Sequence, residues 1–333
     1  MVVGPHPESV IRTAEGREVQ LKVHQCVWSG AHPANSLPAI EECYRLAVAR
    51  VEIDVCLLRD ADFLVVHERE LEESTDGSGL AAELSRHQAR TLRLVSRGRV
   101  WEERPPLFSD VVALIRGQAY PTLMELDLKD VEPMPWPRVE ELARLVEPVT
   151  DRVIFNSQAD WNLRRLLRVD PTLPVSFDPA GYLDSPAERP DEDEARHLPH
   201  GAYGYLDAHP LARARLTSVA DYLADRLGGI LRLVPGAREA HLRLRAFERM
   251  LDDGVADAAR LFHEQGMLLD VWTLDAQTPR WRQRLMRALA AGVDVITTNT
   301  AQALAAAGAT PTSLDEGARA DGGAEWSERR PTG

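Results

Sequence analysis

The sequence predicts a single α/β domain, a (β/α)8 TIM barrel with an insertion after its fifth strand. Three observations carry this. Eight short β-rich runs alternate with amphipathic helical stretches, the pattern of parallel strands joined by crossover helices. Eight repeats favour a closed barrel over an open doubly wound sheet. No G-x-G-x-x-G follows the first run, which argues against a dinucleotide-binding sheet.

The runs follow in order. "VQLKVHQ" (19–25) sets Val19, Leu21 and Val23 against Gln20, Lys22 and His24. "RVEIDVCLL" (50–58) sends Glu52 and Asp54 to one side, and "TLMELDLK" (122–129) does the same with Glu125, Asp127 and Lys129. "RVIFNSQ" (152–158), "PVSFDP" (174–179), "EAHLRLRA" (239–246), "MLLDVWTLD" (267–275) and "VDVITTN" (293–299) complete the set. Helical patterns such as "SLPAIEECYRLAV", "VEELARLVEPV", "WNLRRLLRV", "VADAARLFHEQG" and "RQRLMRALAAG" lie between them. Residues 1–18 read as an N-terminal extension and 19–306 as the barrel. The Pro-, Gly- and acid-rich segment 180–210 is the insertion, and 307–333 is expected to be a disordered tail.

Composition narrows the function. A net charge of −13 leaves no basic surplus to release counterions from phosphates, so a nucleic-acid partner is not expected. No apolar run approaches the roughly 20 residues that span a bilayer, and the first residues lack the basic and apolar regions of a signal peptide. Cys26, Cys43 and Cys56 form no disulfide framework and read as buried thiols in a reducing cytoplasm.

In a barrel, residues at strand C-termini reach the catalytic face. There the sequence offers two imidazoles, His24 and His67, with Glu52, Asp54, Asp127 and Lys129. An E-x-D alone is common, and a strand-end histidine is more often a loop residue; the co-occurrence of these groups on early strands carries the argument. Carboxylates at this density repel one another unless a cation intervenes, and oxygen ligands suit a hard divalent ion, Mg²⁺ or Ca²⁺. Two residues earlier on the same faces lie Lys22, Arg50, Glu125 and Asp270. A buried ionic network is expected there, Lys22 or Arg50 pairing with Glu125 or Asp270, because a lone buried charge is too costly.

With these residues in place, the chain resembles the glycerophosphodiester phosphodiesterases of the phosphatidylinositol-phospholipase-C-like barrel superfamily. Their pattern runs H-R-G, P-E-N-[TS], E-x-D, H-D, T-x-G-x-G, E-x-K, W-T and T-[DN]. Here it reads His24-Gln25-Cys26, Pro33-Ala34-Asn35-Ser36, Glu52-Ile53-Asp54, His67-Glu68, "STDGSG" (74–79), Asp127-Leu128-Lys129, Trp272-Thr273 and Thr298-Asn299. The resemblance implies that Glu52, Asp54 and Asp127 hold the metal and that His24 and His67 form the acid–base pair. It implies that Lys129, with Gln25 in the arginine's place, contacts the phosphate, and that Trp272 lines the pocket. His32 inherits no role and reads as a loop residue. The implied reaction is metal-dependent hydrolysis of a small glycerophosphodiester or related diester to an alcohol and a phosphomonoester.

The departures are Gln25 for Arg, Cys26 for Gly and Ala34 for Glu. Charge-assisted bonds contribute about 1.5–3 kcal/mol, so a neutral amide in place of a guanidinium would cost roughly 10- to 150-fold. Arg and Glu are missing together, a consistent rearrangement. Sphingomyelinase-D-like phospholipases also lack that arginine and carry a strand ending L-D-L-K, which "LDLK" (126–129) resembles here. Such an activity, or a non-catalytic phosphoester-binding barrel, are the alternatives.

Overall fold

A computed structural model describes residues 4–96, 98–183 and 218–308. The barrel is built from β1 (Glu18–Val23), β2 (Arg50–Leu57), β3 (Leu123–Leu128), β4 (Val153–Asn156), β5 (Ser176–Phe177), β6 (Glu239–Arg243), β7 (Leu268–Trp272) and β8 (Val295–Thr298). Their order is β4-β3-β2-β1-β8-β7-β6-β5, every neighbouring pair parallel. The remaining edge is drawn together by a single bridge, Phe155 to Val175, with Asp178 N–H donating to the Ser157 carbonyl at 3.2 Å. The expected eight-stranded α/β barrel is the observed one.

Helices α1 (Leu37–Arg45), α2 (Phe108–Arg116), α3 (Trp136–Val146), α4 (Asp160–Val169), α5 (Val219–Leu231), α6 (Leu244–Asp252), α7 (Trp281–Ala290) and α8 (Ala301–Gly308) follow the strands in turn. Helix α1 shows why they form where they do. The Ser36 hydroxyl caps its first turn by accepting from Ala39 N–H, and Pro38 fits there because no intrahelical donor is lost. Its buried residues Ala39, Ile40, Cys43 and Tyr44 recur at helical spacing and face the strands.

All the strands are shorter than the runs the sequence marks, and two of the ends have a clear local cause. β1 stops at Val23, and His24–Cys26 form a tight 3-10 turn in which Gln25 and Cys26 both have positive φ, 52° and 56°. β6 stops at Arg243, where the period changes and Leu244, Phe247 and Met250 begin the buried face of α6. The N-terminal extension is tied to the barrel: Val10–Arg12 pairs antiparallel with β1. The insertion expected at 180–210 and the tail lie largely outside the described residues.

A further excursion, 58–107, separates β2 from α2. It holds a two-residue strand, Phe63–Leu64, antiparallel to β2, and the small hairpin of Val95–Ser96 with Arg99–Val100. Cys56, Leu64, Leu71 and Leu107 belong to its own apolar cluster. This packing fixes the segment carrying His67 against the barrel mouth. All three cysteines are free and buried.

The barrel floor is ionic. Lys22 Nζ lies 2.6 Å from Glu125 Oε2 and 2.5 Å from Asp270 Oδ2, as the strand alternation predicts. Arg50 instead pairs with Glu239, at 2.6 Å. His241 Nε2 sits 3.2 Å from both Glu125 and Glu239. All six side chains are buried. Three carboxylates face Lys22, Arg50 and His241, so the layer is neutral when His241 carries a proton, the arrangement that buried charge requires.

Candidate active site

Above this floor stand the groups at the strand ends. Glu52 and Asp54 on β2 are register partners of Glu125 and Asp127 on β3, which sets two rows of carboxylates side by side. Oxygen atoms of Glu52, Asp54 and Asp127 all lie within 4.8 Å of one another. Asp54 Oδ2 accepts from Gln25 Nε2 at 2.9 Å and Asn35 Nδ2 at 2.7 Å, while Asp54 Oδ1 lies 2.8 Å from Lys129 Nζ. Lys129 also reaches Asp127 Oδ2 at 2.7 Å, and Asn156 Nδ2 donates to Asp127 Oδ1 at 3.0 Å. Glu52 accepts from Gln25 N–H at 2.8 Å, and its other oxygen is buried without a hydrogen-bond partner.

Lys129 does not neutralise this cluster alone. Burial and the Asp54 carboxylate push the Glu52 carboxyl well above the usual range. Burial opposes charge on Asp54 too, but Lys129 and the two imidazoles outweigh it and hold Asp54 far below its ordinary value. A compact all-oxygen donor set with one unpartnered, buried carboxylate oxygen fits a hard divalent cation.

The two imidazoles stand over these carboxylates, their ring centroids 6.3 Å apart and their planes at 83°. His24 Nε2 is 3.8 Å from Glu52 Oε2. His24 Nδ1 lies 3.1 Å from Asn299 Oδ1, and Asn299 Nδ2 donates to Asp275 Oδ2 at 2.9 Å. Asp275 thereby fixes which way the Asn299 amide points. Only an acceptor faces His24 Nδ1, so Nδ1 carries the proton and Nε2 keeps its lone pair. His67 Nδ1 is 2.5 Å from Glu68 Oε1.

Burial lowers the His24 pKa below 6.5, reinforced by Lys129 and His67. Burial acts the same way on His67, but Asp54 and the Glu68 hydrogen bond outweigh it and raise that imidazole above 6.5. The two rings are thus biased apart, one toward base and one toward acid.

His24, His67, Glu52, Asp127, Lys129 and Trp272 line one cavity of about 160 Å³. Arg243 stacks over Trp272, 5.0 Å from its ring. Asp54 is buried behind them. Gln25, expected on the phosphate, instead has its amide drawn onto Asp54. Sequence reasoning passed over Asp275, Asn156 and His241. Asp275 closes its strand-like run and Asn156 directly follows the apolar part of its own, the signal that could have found them. His241 had only its alternation on β6.

The comparisons with known proteins agree with this geometry. A family model described as the glycerophosphoryl diester phosphodiesterase family matches residues 28–303. The chain belongs to this family. A glycerophosphodiester phosphodiesterase of Caldanaerobacter subterraneus subsp. tengcongensis is 24% identical over 152 residues. That alignment spans 44% of this chain and 60% of the relative's length. Two solved structures share the family fold. A phosphodiesterase from Oleispira antarctica, in complex with its product sn-glycerol-3-phosphate, superposes with TM-score 0.59 at 17% identity, over 86% of this chain and 96% of that one. A glycerophosphodiester phosphodiesterase from Agrobacterium tumefaciens gives TM-score 0.56 at 15% identity, over 86% and 99%.

Proposed function

We propose that the protein hydrolyses a glycerophosphodiester to an alcohol and a phosphomonoester, with Glu52, Asp54 and Asp127 holding Mg²⁺ or Ca²⁺. The observation that carries this is the pair of oppositely biased imidazoles, 6.3 Å apart over a three-carboxylate cluster and Lys129. A bound divalent ion would neutralise charge on the phosphate. His24 Nε2 takes a proton from the attacking water, its Nδ1 proton held by Asn299. His67 Nε2 gives a proton to the leaving oxygen while Glu68 stabilises its charged form. Lys129 turns its ammonium toward phosphate oxygens, and Trp272 walls the pocket and limits water.

A cytoplasmic location belongs to the proposal, on the strength of three buried free thiols. Among the described residues no helix is long and apolar enough to cross a membrane. The test is metal-dependent release of ethanolamine or choline from glycerophospho-substrates, with His24→Ala and His67→Ala as controls. Activity persisting in both variants would sink the mechanism. Diester binding without turnover by wild type would favour a phosphoester-binding barrel.

A further inference from the structure

The turn after β1 directs its polar groups onto β2. Gln25 N–H donates to Glu52 Oε2 at 2.8 Å, Gln25 Nε2 donates to Asp54 Oδ2 at 2.9 Å, and the Cys26 thiol donates to the Glu52 carbonyl at 3.6 Å. Asn35 backs this turn. Its N–H donates to the Gln25 carbonyl at 3.0 Å, its Nδ2 to Asp54 Oδ2 at 2.7 Å, and its Oδ1 accepts from Asp54 N–H at 3.2 Å. Gln25 thus holds two carboxylates, one through its main chain and one through its side chain. It does so from the left-handed region, φ 52° and ψ 25°, where a residue with a Cβ is seldom found.

These donors leave one oxygen of each carboxylate available. Glu52 Oε1 has no hydrogen-bond partner, and Asp54 Oδ1 faces Lys129 at 2.8 Å. Gln25 itself does not line the cavity of His24, Lys129 and Trp272; it lines an adjoining one with Ala34 and Asn35.

We propose that Gln25 is a positioning residue for the divalent ion and not a phosphate contact: it turns one oxygen each of Glu52 and Asp54 toward Asp127 before an ion arrives. This rests on the metal site of the phosphodiesterase reading above. A neutral amide performs the task without adding charge, whereas a cationic side chain within reach of Asp54 would pair with that carboxylate and offset part of its attraction for the ion. The phosphate is then left to Lys129 and the ion.

The experiment titrates the full chain with Mg²⁺ and with Ca²⁺ by calorimetry, without substrate, beside kinetics on a glycerophosphodiester at saturating ion. The variant is Gln25→Gly. Glycine keeps the main-chain donor to Glu52 and accepts a positive φ without strain, so only the amide on Asp54 is lost. Ion affinity is expected to fall about tenfold or more, with no loss of Tm. KM for the diester at saturating ion should be unchanged, and excess ion should restore kcat. Should that variant unfold, Gln25→Asn, which tolerates the same backbone and withdraws the amide by one methylene, carries the same test. Unchanged ion affinity in the residue-25 variant, with binding lost in Asp127→Asn, overturns the inference and leaves the metal reading standing. A raised KM at saturating ion with unaltered ion affinity returns Gln25 to the phosphate and overturns it too. A wild type that binds neither ion defeats the metal reading, and the inference with it.

Discussion

His24 and His67 stand with ring centroids 6.3 Å apart at 83°, close enough to flank one phosphate yet biased toward opposite protonation. The required base is His24, active once deprotonated, so kcat/KM rises with pH through its lowered pKa. The required acid is His67, active while protonated, so kcat/KM falls as pH rises through its raised pKa. A bell is therefore expected whose limbs lie on either side of 6.5. His67→Gln should remove the alkaline limb along with most of kcat, and a profile with no alkaline fall in wild type would refute this assignment.

Asp275 touches neither substrate nor imidazole, yet it sets the Asn299 amide that faces His24 Nδ1. Asp275→Asn frees that amide to turn over and present a donor, favouring the wrong tautomer. We expect kcat to fall by about 10- to 100-fold with little change in KM. Nitrogen-15 NMR of His24 checks it directly, since wild type should show the proton on Nδ1 and the variant should not.

Lys129 shares Asp54 and Asp127 with any bound cation. Lys129→Met removes that competition, so a divalent ion should bind about tenfold tighter by calorimetry while turnover drops. Asp127→Asn should weaken the same binding. Unchanged affinity in both variants would place the metal elsewhere.

The ionic floor makes a prediction about stability. Burial opposes charge on His241, but Glu125 and the hydrogen bonds prevail and raise its pKa to about 10. A raised folded pKa means the stabilisation is complete below the unfolded value near 6.5 and is lost as pH climbs through about 10. Urea unfolding across that window should show falling stability, and His241→Gln should abolish the slope. Lys22→Met, which strands Glu125 and Asp270, is expected to cost about 3–5 kcal/mol.

The alternation of apolar and polar residues made all eight strands legible, and with them the rows carrying Glu52, Asp54, Asp127 and Lys129. The same alternation reached Lys22 and its partners. It missed Glu239, the partner of Arg50, because Glu239 is the first residue of its strand, where the run had no earlier residue to set its face. Asp275 was hidden for a different reason: its role passes through the orientation of another residue's amide, which no spacing encodes. The 58–107 excursion escaped notice because its short strands carry too few residues to show a period.

The edge between β4 and β5 is the least stitched part of the barrel wall. One bridge crosses it, against six register pairs between β2 and β3. A side-chain clasp helps there, Gln158 to Asp178 at 3.2 Å. The clasp lines the same cavity as the acid–base pair, but the pair and the carboxylates themselves are carried by β1, the turn after it, β2, β3 and the β2–α2 excursion. Breathing of the wall therefore concentrates where no proton is transferred, and amides around Phe155 and Phe177 should exchange with solvent before those of β2. The cylinder behaves as a cuff whose fastening sits at the rim of the cavity, opposite the strands that carry its proton-transfer groups.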